Sequence, residues 1–169
     1  MAKTSYAIAL GSNRRHGRYG SPERVVEAAI EQLRRLGEIE RVSSISATAA
    51  LGPAGRGFAN AALILACELE PDVLLEQLKA LEKAFGRRGG RKWGPRVLDL
   101  DIILWSEGPW SGPGPVVPHP EFRTRAFVLE PLAEIAPHWR DPLSGLTIRQ
   151  LRARLGRSQP ASGRRAAGS

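Results

Sequence analysis

Asp99 and Asp101 lie two residues apart in Val97-Leu98-Asp99-Leu100-Asp101-Ile102-Ile103-Leu104, an apolar run that reads as a strand. Residues i and i+2 of a strand point to one face, roughly 6 to 7 Å apart at Cα. Leu98, Leu100, Ile102 and Leu104 are then expected on the other face, in the core. Two like charges so placed repel, and they are compensated by bulk water, by neighbouring arginines or by a divalent cation. The chain has only four Asp, and two of them are here. Taken alone, the pair divides evenly between a solvated pair at a sheet edge and a metal site.

The residues just before the strand weight that choice. Arg87, Arg88, Arg91, Lys92 and Arg96 stand on a segment loosened by Gly89, Gly90 and Gly94, a cationic arm beside two acids. That set suits phosphoryl transfer, in which metal ions bridge phosphate oxygens and Arg or Lys takes up developing charge. There is no GxxxxGK[ST] and no GxGxxG after a strand, so a nucleotide would be held by side chains and metal rather than by a glycine-rich cradle. His119, between Pro118 and Pro120 and followed by Arg123 and Arg125, is a lesser candidate, and His16 and His138 are weaker still. Phe58 and Phe127 are either ordinary core residues or platforms for a flat heterocycle. Asn60 is harder to dismiss, because an amide inside the apolar run Phe58 to Leu69 needs partners, and its edge can read a ring's donors and acceptors. Trp93 is out of place in a glycine-rich loop unless it closes over a ligand. Cys67 reads as a small core residue.

These residues need a frame. With 169 residues, 42% of them hydrophobic, the chain is expected to form one domain with a sizeable core. Its longest apolar runs, such as Ala61 to Cys67, are too short to span a bilayer, the first ten residues lack a signal-peptide pattern, and the single Cys cannot form an internal disulfide. A cytoplasmic setting is the expectation. The net charge of +8 hints at an anionic partner. Six arginines and one aspartate from Asp141 onward supply five of those eight charges, so the rest of the chain is only mildly basic.

Ser5 to Leu10 reads as a strand ended by Gly11-Ser12-Asn13. Ser21 as N-cap and Pro22 at the first helical position open a helix whose apolar positions recur to Leu36. Ile39 to Thr48 is β-branched and Ser-rich, a second strand. A bent connection over Leu51 to Gly57 leads to Phe58 to Leu69, apolar on both alternations as a strand buried on both faces would be. Pro71 to Gly86 is a second helix, and Val97 to Trp105 the last strand. The order β-α-β-β-α-β predicts an α+β protein with a ferredoxin-like antiparallel sheet, both helices on one face, the other face open for function, and additional C-terminal elements. Among these are Arg125 to Ile135 and an amphipathic helix near Thr147 to Leu155. Apolar periodicity stops at Gly156, so residues 1–157 are taken as the domain and 158–169 as a disordered basic tail.

Arg91-Lys92-Trp93-Gly94-Pro95-Arg96-Val97-Leu98-Asp99-Leu100-Asp101-Ile102 resembles the signature of the 6-hydroxymethyl-7,8-dihydropterin pyrophosphokinase family of folate biosynthesis, roughly [RK]-x-[GSA]-P-R-x-[LIV]-D-[LIV]-D. The similarity extends to Ala9 to Asn13, Phe58 to Ala62, Glu82 to Arg87, Val117 to His119 and Arg125 to Phe127, and runs to about Leu155. It implies transfer of pyrophosphate from MgATP to the pterin hydroxymethyl group, giving AMP. It further implies that Asp99 and Asp101 bind two Mg2+ ions, that Arg87, Lys92 and Arg96 lie on an arm closing over ATP, and that His119 and Arg125 contact phosphates. Arg87 and Arg96, with the two aspartates, would be the catalytic set. Phe58 and Phe127 would sandwich the pterin, Asn60 would bond its edge, backbone groups near Thr48 and Leu51 would complete the pocket, and Trp93 would seal it. The implied partners are small molecules, ATP and the reduced pterin, with no nucleic acid or membrane, and a monomer is expected. The chain departs from the pattern in having Thr48-Ala49-Ala50 where Thr-Pro-Pro is common, Phe58 where Tyr is frequent, and a basic first loop, Arg14 to Arg18.

A competing class is an RNA-recognition module, since Arg56-Gly57-Phe58-Ala59 opens like its main motif. Asn60 and Leu63 then stand where stacking aromatics belong, and an Asp99/Asp101 face repels phosphates unless metal intervenes. Nucleotide binding without turnover is a third class, supported only by Ala49-Ala50.

Overall fold

The computed structural model describes residues 2–13, 19–48, 57–86 and 97–158. The elements run β1 Thr4–Ser12, α1 Pro22–Leu33, β2 Glu38–Val42, β3 Ser46–Thr48, β4 Phe58–Cys67, α2 Pro71–Gly86, β5 Asp99–Trp105, a 3-10 turn Phe122–Thr124, α3 Ala126–Ile135 and α4 Ile148–Ser158. The strands form one antiparallel sheet in the order β2-β4-β1-β5, with β3 also on β4. The fold is α+β, as the element order predicts.

Local chemistry explains the boundaries. Ser21 caps α1, its side chain accepting from Arg24 N, and Pro22 follows at the first position, where its missing N–H costs nothing. The helix ends at Leu33 rather than Leu36, because Arg35 N and Leu36 N turn to carbonyls three residues back and tighten the chain. Gly37 then passes so close to β4 that a Cβ there would stand 2.2 Å from the Ala66 carbonyl oxygen, so only glycine fits. The segment Ile39 to Thr48 is two strands, not one. At the break, Ser43 N donates to Ala62 O (2.9 Å) while Ser43 Oγ accepts from Ala62 N (2.9 Å), a hydroxyl taking the place of a ladder carbonyl. Thr147 and Gln150 form a reciprocal capping box on α4, with bonds of 2.9 and 3.1 Å. That helix runs through Gly156 to Ser158, beyond the point where periodicity stops, and residues 159–169 of the expected tail lie outside the described residues.

Two cores sandwich the sheet. Tyr6, Ile8, Leu10, Ala61, Leu63, Leu65, Leu100 and Ile102 face α1 and α2 through Val26, Leu33, Leu74 and Leu78. Ala7, Ala9, Ala62, Ile64 and Ile103 face the opposite way, onto Val128, Leu129, Leu132 and Ile135 of α3 and Ile148 and Leu151 of α4. The second face is therefore not open as expected: α3 and α4 cover much of it, because their apolar stripes need the burial. A further correction concerns Leu104. It belongs to the second core, because the pairing of β5 with β1 slips between Ala7 and Ile8, with Ala7 opposite Leu104 and Ile8 opposite Ile102. One inserted residue reverses the facing of everything beyond it.

Candidate active site

Where α3 stops covering the sheet, a cavity of about 620 Å³ opens, lined by Ala9, Leu10, Gly11, Ser12, Asn13, Phe58, Asn60, Asp99, Asp101, Arg125, Phe127 and Val128. That volume is in the usual range for small-molecule sites, roughly 300 to 1,000 Å³. Strand pairing explains how residues distant in sequence meet. Gly11 on β1 is opposite Asn60 on one side and Asp99 on the other, and Ala9 is opposite Ala62 and Asp101. Ser46 on β3 pairs with Asn60, and Thr48 with Phe58. One row across the sheet thus reads Ser46, Asn60, Gly11, Asp99, so the amide and the first carboxylate are two strand spacings apart, roughly 10 Å. Asp101 lies one pleat further along the face of Asp99, as the i, i+2 spacing predicts, and both are partly buried.

Gly11 has a specific role in that row. A Cβ at this position would press to 3.3 Å from Asn60 Oδ1, so the missing side chain leaves room for the amide. Phe58 and Phe127 are each 51% exposed, which excludes the core alternative for both and leaves two ring faces at the cavity wall. Phe127 stands in the first turn of α3, preceded by Arg125, the residue at the helix N-cap. The Arg125 guanidinium pairs with Glu121 and lies 5.7 Å from the centroid of the Phe127 ring.

His119 is not among the residues that line the cavity. Its backbone N donates to Ile103 O of β5 (3.0 Å), and its Nδ1 accepts from Glu121 N (3.1 Å). In a neutral ring that acceptance places the proton on Nε2. Thr48 on β3 pairs with Phe58 on β4. Arg87, Lys92, Trp93, Arg96 and Leu51 lie outside the described residues.

Gly11, Ser12 and Asn13 also line the cavity, where the sequence predicts only the end of a strand. Asn13 Oδ1 is the one buried side-chain N or O atom without a hydrogen-bond partner among the described residues. The available signal was topological. In an antiparallel pairing of β1 with β5 the end of one meets the start of the other, so residues 11–13 must lie beside Asp99.

The donor set fits magnesium. No cluster of three or more His, Cys, Asp or Glu able to hold a metal occurs among the described residues. Mg2+ does not need one, since it is usually bound by one or two carboxylates together with waters and substrate phosphates. Asp99 and Asp101 on one face of an open cavity match that pattern.

The family model for 7,8-dihydro-6-hydroxymethylpterin-pyrophosphokinase (HPPK) matches residues 7–137, well over half of the sequence. The chain belongs to this family. An HPPK-type enzyme of Synechocystis, 2-amino-4-hydroxy-6-hydroxymethyldihydropteridine pyrophosphokinase, is 46% identical over 114 residues, 68% of this chain and 58% of its own length. The enzyme of the same name from Methylorubrum extorquens is 39% identical over 152 residues, covering 88% of this chain and 91% of the relative. Wild-type HPPK-DHPS of Plasmodium falciparum superposes with a TM-score of 0.73 at 12% identity, over 96% of this chain and 42% of that one. The chain thus spans less than two thirds of the Synechocystis relative and under half of the Plasmodium protein. Every residue lining the cavity, from Ala9 to Val128, falls within the family match.

Proposed function

We propose that this HPPK-family chain transfers pyrophosphate from MgATP to 6-hydroxymethyl-7,8-dihydropterin, giving AMP and the pterin diphosphate, as a step of folate biosynthesis. The observation that carries the proposal is the single sheet row in which Asn60 and Asp99 flank Gly11 under the half-exposed rings of Phe58 and Phe127. A flat heterocycle between those rings presents its edge to Asn60 and directs a hydroxymethyl substituent along the row toward the carboxylates. The oxygen of that substituent forms a bond to the β-phosphorus, the bond from the β-phosphorus to the oxygen bridging to the α-phosphate breaks, AMP leaves, and the hydroxyl proton is lost.

Asp99 and Asp101 hold Mg2+ in this proposal, as two ions. Held by these two carboxylates, magnesium would supply positive charge to offset the charge that develops on the phosphate oxygens during transfer. The chain's own residues position and screen. Arg125 exchanges Glu121 for a phosphate, and His119 donates from Nε2 to another. Arg87, Lys92 and Arg96 take up charge from the segment before β5, Trp93 excludes water, and backbone groups near Thr48 and Leu51 complete the pterin pocket.

The strand order β2-β4-β1-β5 with two crossover helices on one face supports a ferredoxin-like reading of the fold. No helix is long and apolar enough to cross a membrane among the described residues. A cytoplasmic monomer acting on small molecules is the assembly proposed. The test is to incubate the protein with MgATP and the reduced pterin and identify the nucleotide released. AMP is expected; ADP alone would make the chain an ordinary kinase and overturn the proposal.

A further inference from the structure

We propose that Asp141, outside the cavity and beyond the family match, is a positioning residue for the phosphate end of the site, acting through Arg123. The proposal rests on the reading of His119 and Arg125 as phosphate contacts. Asp141 is fully buried, and its carboxylate accepts four hydrogen bonds: from Arg123 Nε (2.6 Å) and Nη2 (2.8 Å), Ser144 Oγ (2.6 Å) and Leu143 N (3.1 Å). The loop that carries it is tied at both ends. Asp141 N donates to Leu146 O, Gly145 N to Asp141 O, Ile148 N to Trp139 O and Arg149 N to Pro137 O. A buried carboxylate in a loop so constrained is a fixed anchor, and the two-pronged bond to a guanidinium sets direction as well as distance.

Arg123 occupies the middle of the 3-10 turn Phe122–Thr124, between His119 and Arg125. Three attachments hold that turn. His119 N binds Ile103 O on β5, Phe122 is fully buried in the second core, and Arg123 reaches Asp141 while its guanidinium lies 4.7 Å from the Phe122 ring. The turn in turn holds both proposed phosphate contacts: Arg125 N donates to Phe122 O, and Phe122 N to His119 O. Among the attachments, the pair with Asp141 is the one made by the residue nearest Arg125. Releasing it leaves the fold's cores intact and lets the N-cap of α3 shift. Neither Arg123 nor Asp141 lines the cavity, and Arg123 Nε and Nη2 are both committed to Asp141, so the pair acts through the turn.

Most of the pterin wall, Phe58 and Asn60 on β4 with its partner β3, does not depend on this pair. The inference therefore predicts a split between the two substrates. In Asp141→Asn, MgATP binding measured by calorimetry without pterin, and KM for ATP, should weaken about tenfold, as small displacements of positioned groups do. KM for the pterin should stay within about twofold. Because a buried Asn beside Arg123 can also impair folding, the double variant Arg123→Met/Asp141→Leu replaces the pair by apolar groups of similar size, an exchange that many folds tolerate. If folded, by circular dichroism and melting, it should show the same split. MgATP binding unchanged in either folded variant, or ATP and pterin weakened equally, would overturn the proposal. Failure of the wild-type chain to release AMP would instead sink the reaction assignment, while the ATP titration would still decide the role of Asp141.

Discussion

Gly11→Ala sets stability against function at one atom. The strand conformation at Gly11 lies outside the positive-φ region, so alanine brings no backbone strain. Relative to glycine it lowers the entropy lost on folding a strand residue, a gain of roughly 0.5 to 1 kcal/mol. Against this, the new Cβ would lie 3.3 Å from Asn60 Oδ1 and 4.0 Å from the Ala59 carbonyl oxygen. The second contact is ordinary; the first forces the amide aside by a few tenths of an ångström. If that amide bonds the pterin edge, distorting the bond costs up to about 1 kcal/mol, or about fivefold in affinity. The expected result is a melting temperature equal to or slightly above that of the wild type, with pterin binding about fivefold weaker and MgATP binding unchanged. Fluorescence titration of the pterin in the presence of a non-hydrolysable ATP analogue, beside thermal melts, reads both quantities. Unchanged pterin affinity would refute the role of Asn60, and a large loss of stability would refute the packing argument.

Asp99→Asn and Asp101→Asn should each lower AMP release by roughly a hundredfold or more while the protein stays folded, because a metal site supplies several kcal/mol of transition-state stabilisation. Stabilisation of the fold by MgATP should shrink in both, and near-normal turnover would end the metal reading. Burial by itself raises the pKa of Asp141, but hydrogen bonds from Arg123, Ser144 and Leu143 N, with the charge of Arg123, outweigh it and bring the carboxyl from 3.8 to about 2. A depressed acid stabilises the fold above its unfolded pKa, so this pair should contribute roughly 2 kcal/mol near neutral pH, lost as pH falls from about 4 through about 2. Urea unfolding of the wild type and Asp141→Asn across that range should show the two stabilities converging, and a constant gap would contradict it. Glu134→Ala removes the carboxylate that accepts from Ser44 N and Ser44 Oγ at 3.0 to 3.2 Å, tying α3 to the break between β2 and β3. Since Glu134 is exposed, the loss should be about 1 kcal/mol by chemical denaturation; a loss several times larger would show that the tie organises the strand break.

The elements were legible where one local signal dominates. Ser21-Pro22 opens α1 as read, and the aspartates share a face because a strand alternates. The failures come from facts that no local window contains. Leu104 changes face because β5 carries one more residue than β1 across the slip at Ala7/Ile8, a mismatch defined only once the two strands pair. Ile39 to Thr48 breaks at Ser43 because a hydroxyl can stand in for a ladder carbonyl, and that depends on Ala62 lying opposite. Asn13 looks like a loop residue until β1 is laid against β5.

The cavity itself follows from a gradient along one sheet face. At the covered end, positions facing α3 are Ile64 and Ile103 with Leu104, large side chains that meet Leu129, Leu132 and Ile135. At the other end the same alternation gives Asn60, Gly11, Ala9, Asp99 and Asp101, which are too small or too polar to dock an apolar helix. Continuing α3 backward over them would take two carboxylates and an amide out of water, a cost of several kcal/mol that no packing there could offset. The helix therefore begins where the face turns apolar. Its first turn, with Arg125 at the cap and Phe127 half exposed, becomes the rim of the space it cannot fill. Residues of one alternation that change from large and apolar to small and polar along neighbouring strands thus mark where a covered sheet stops being core and becomes a site.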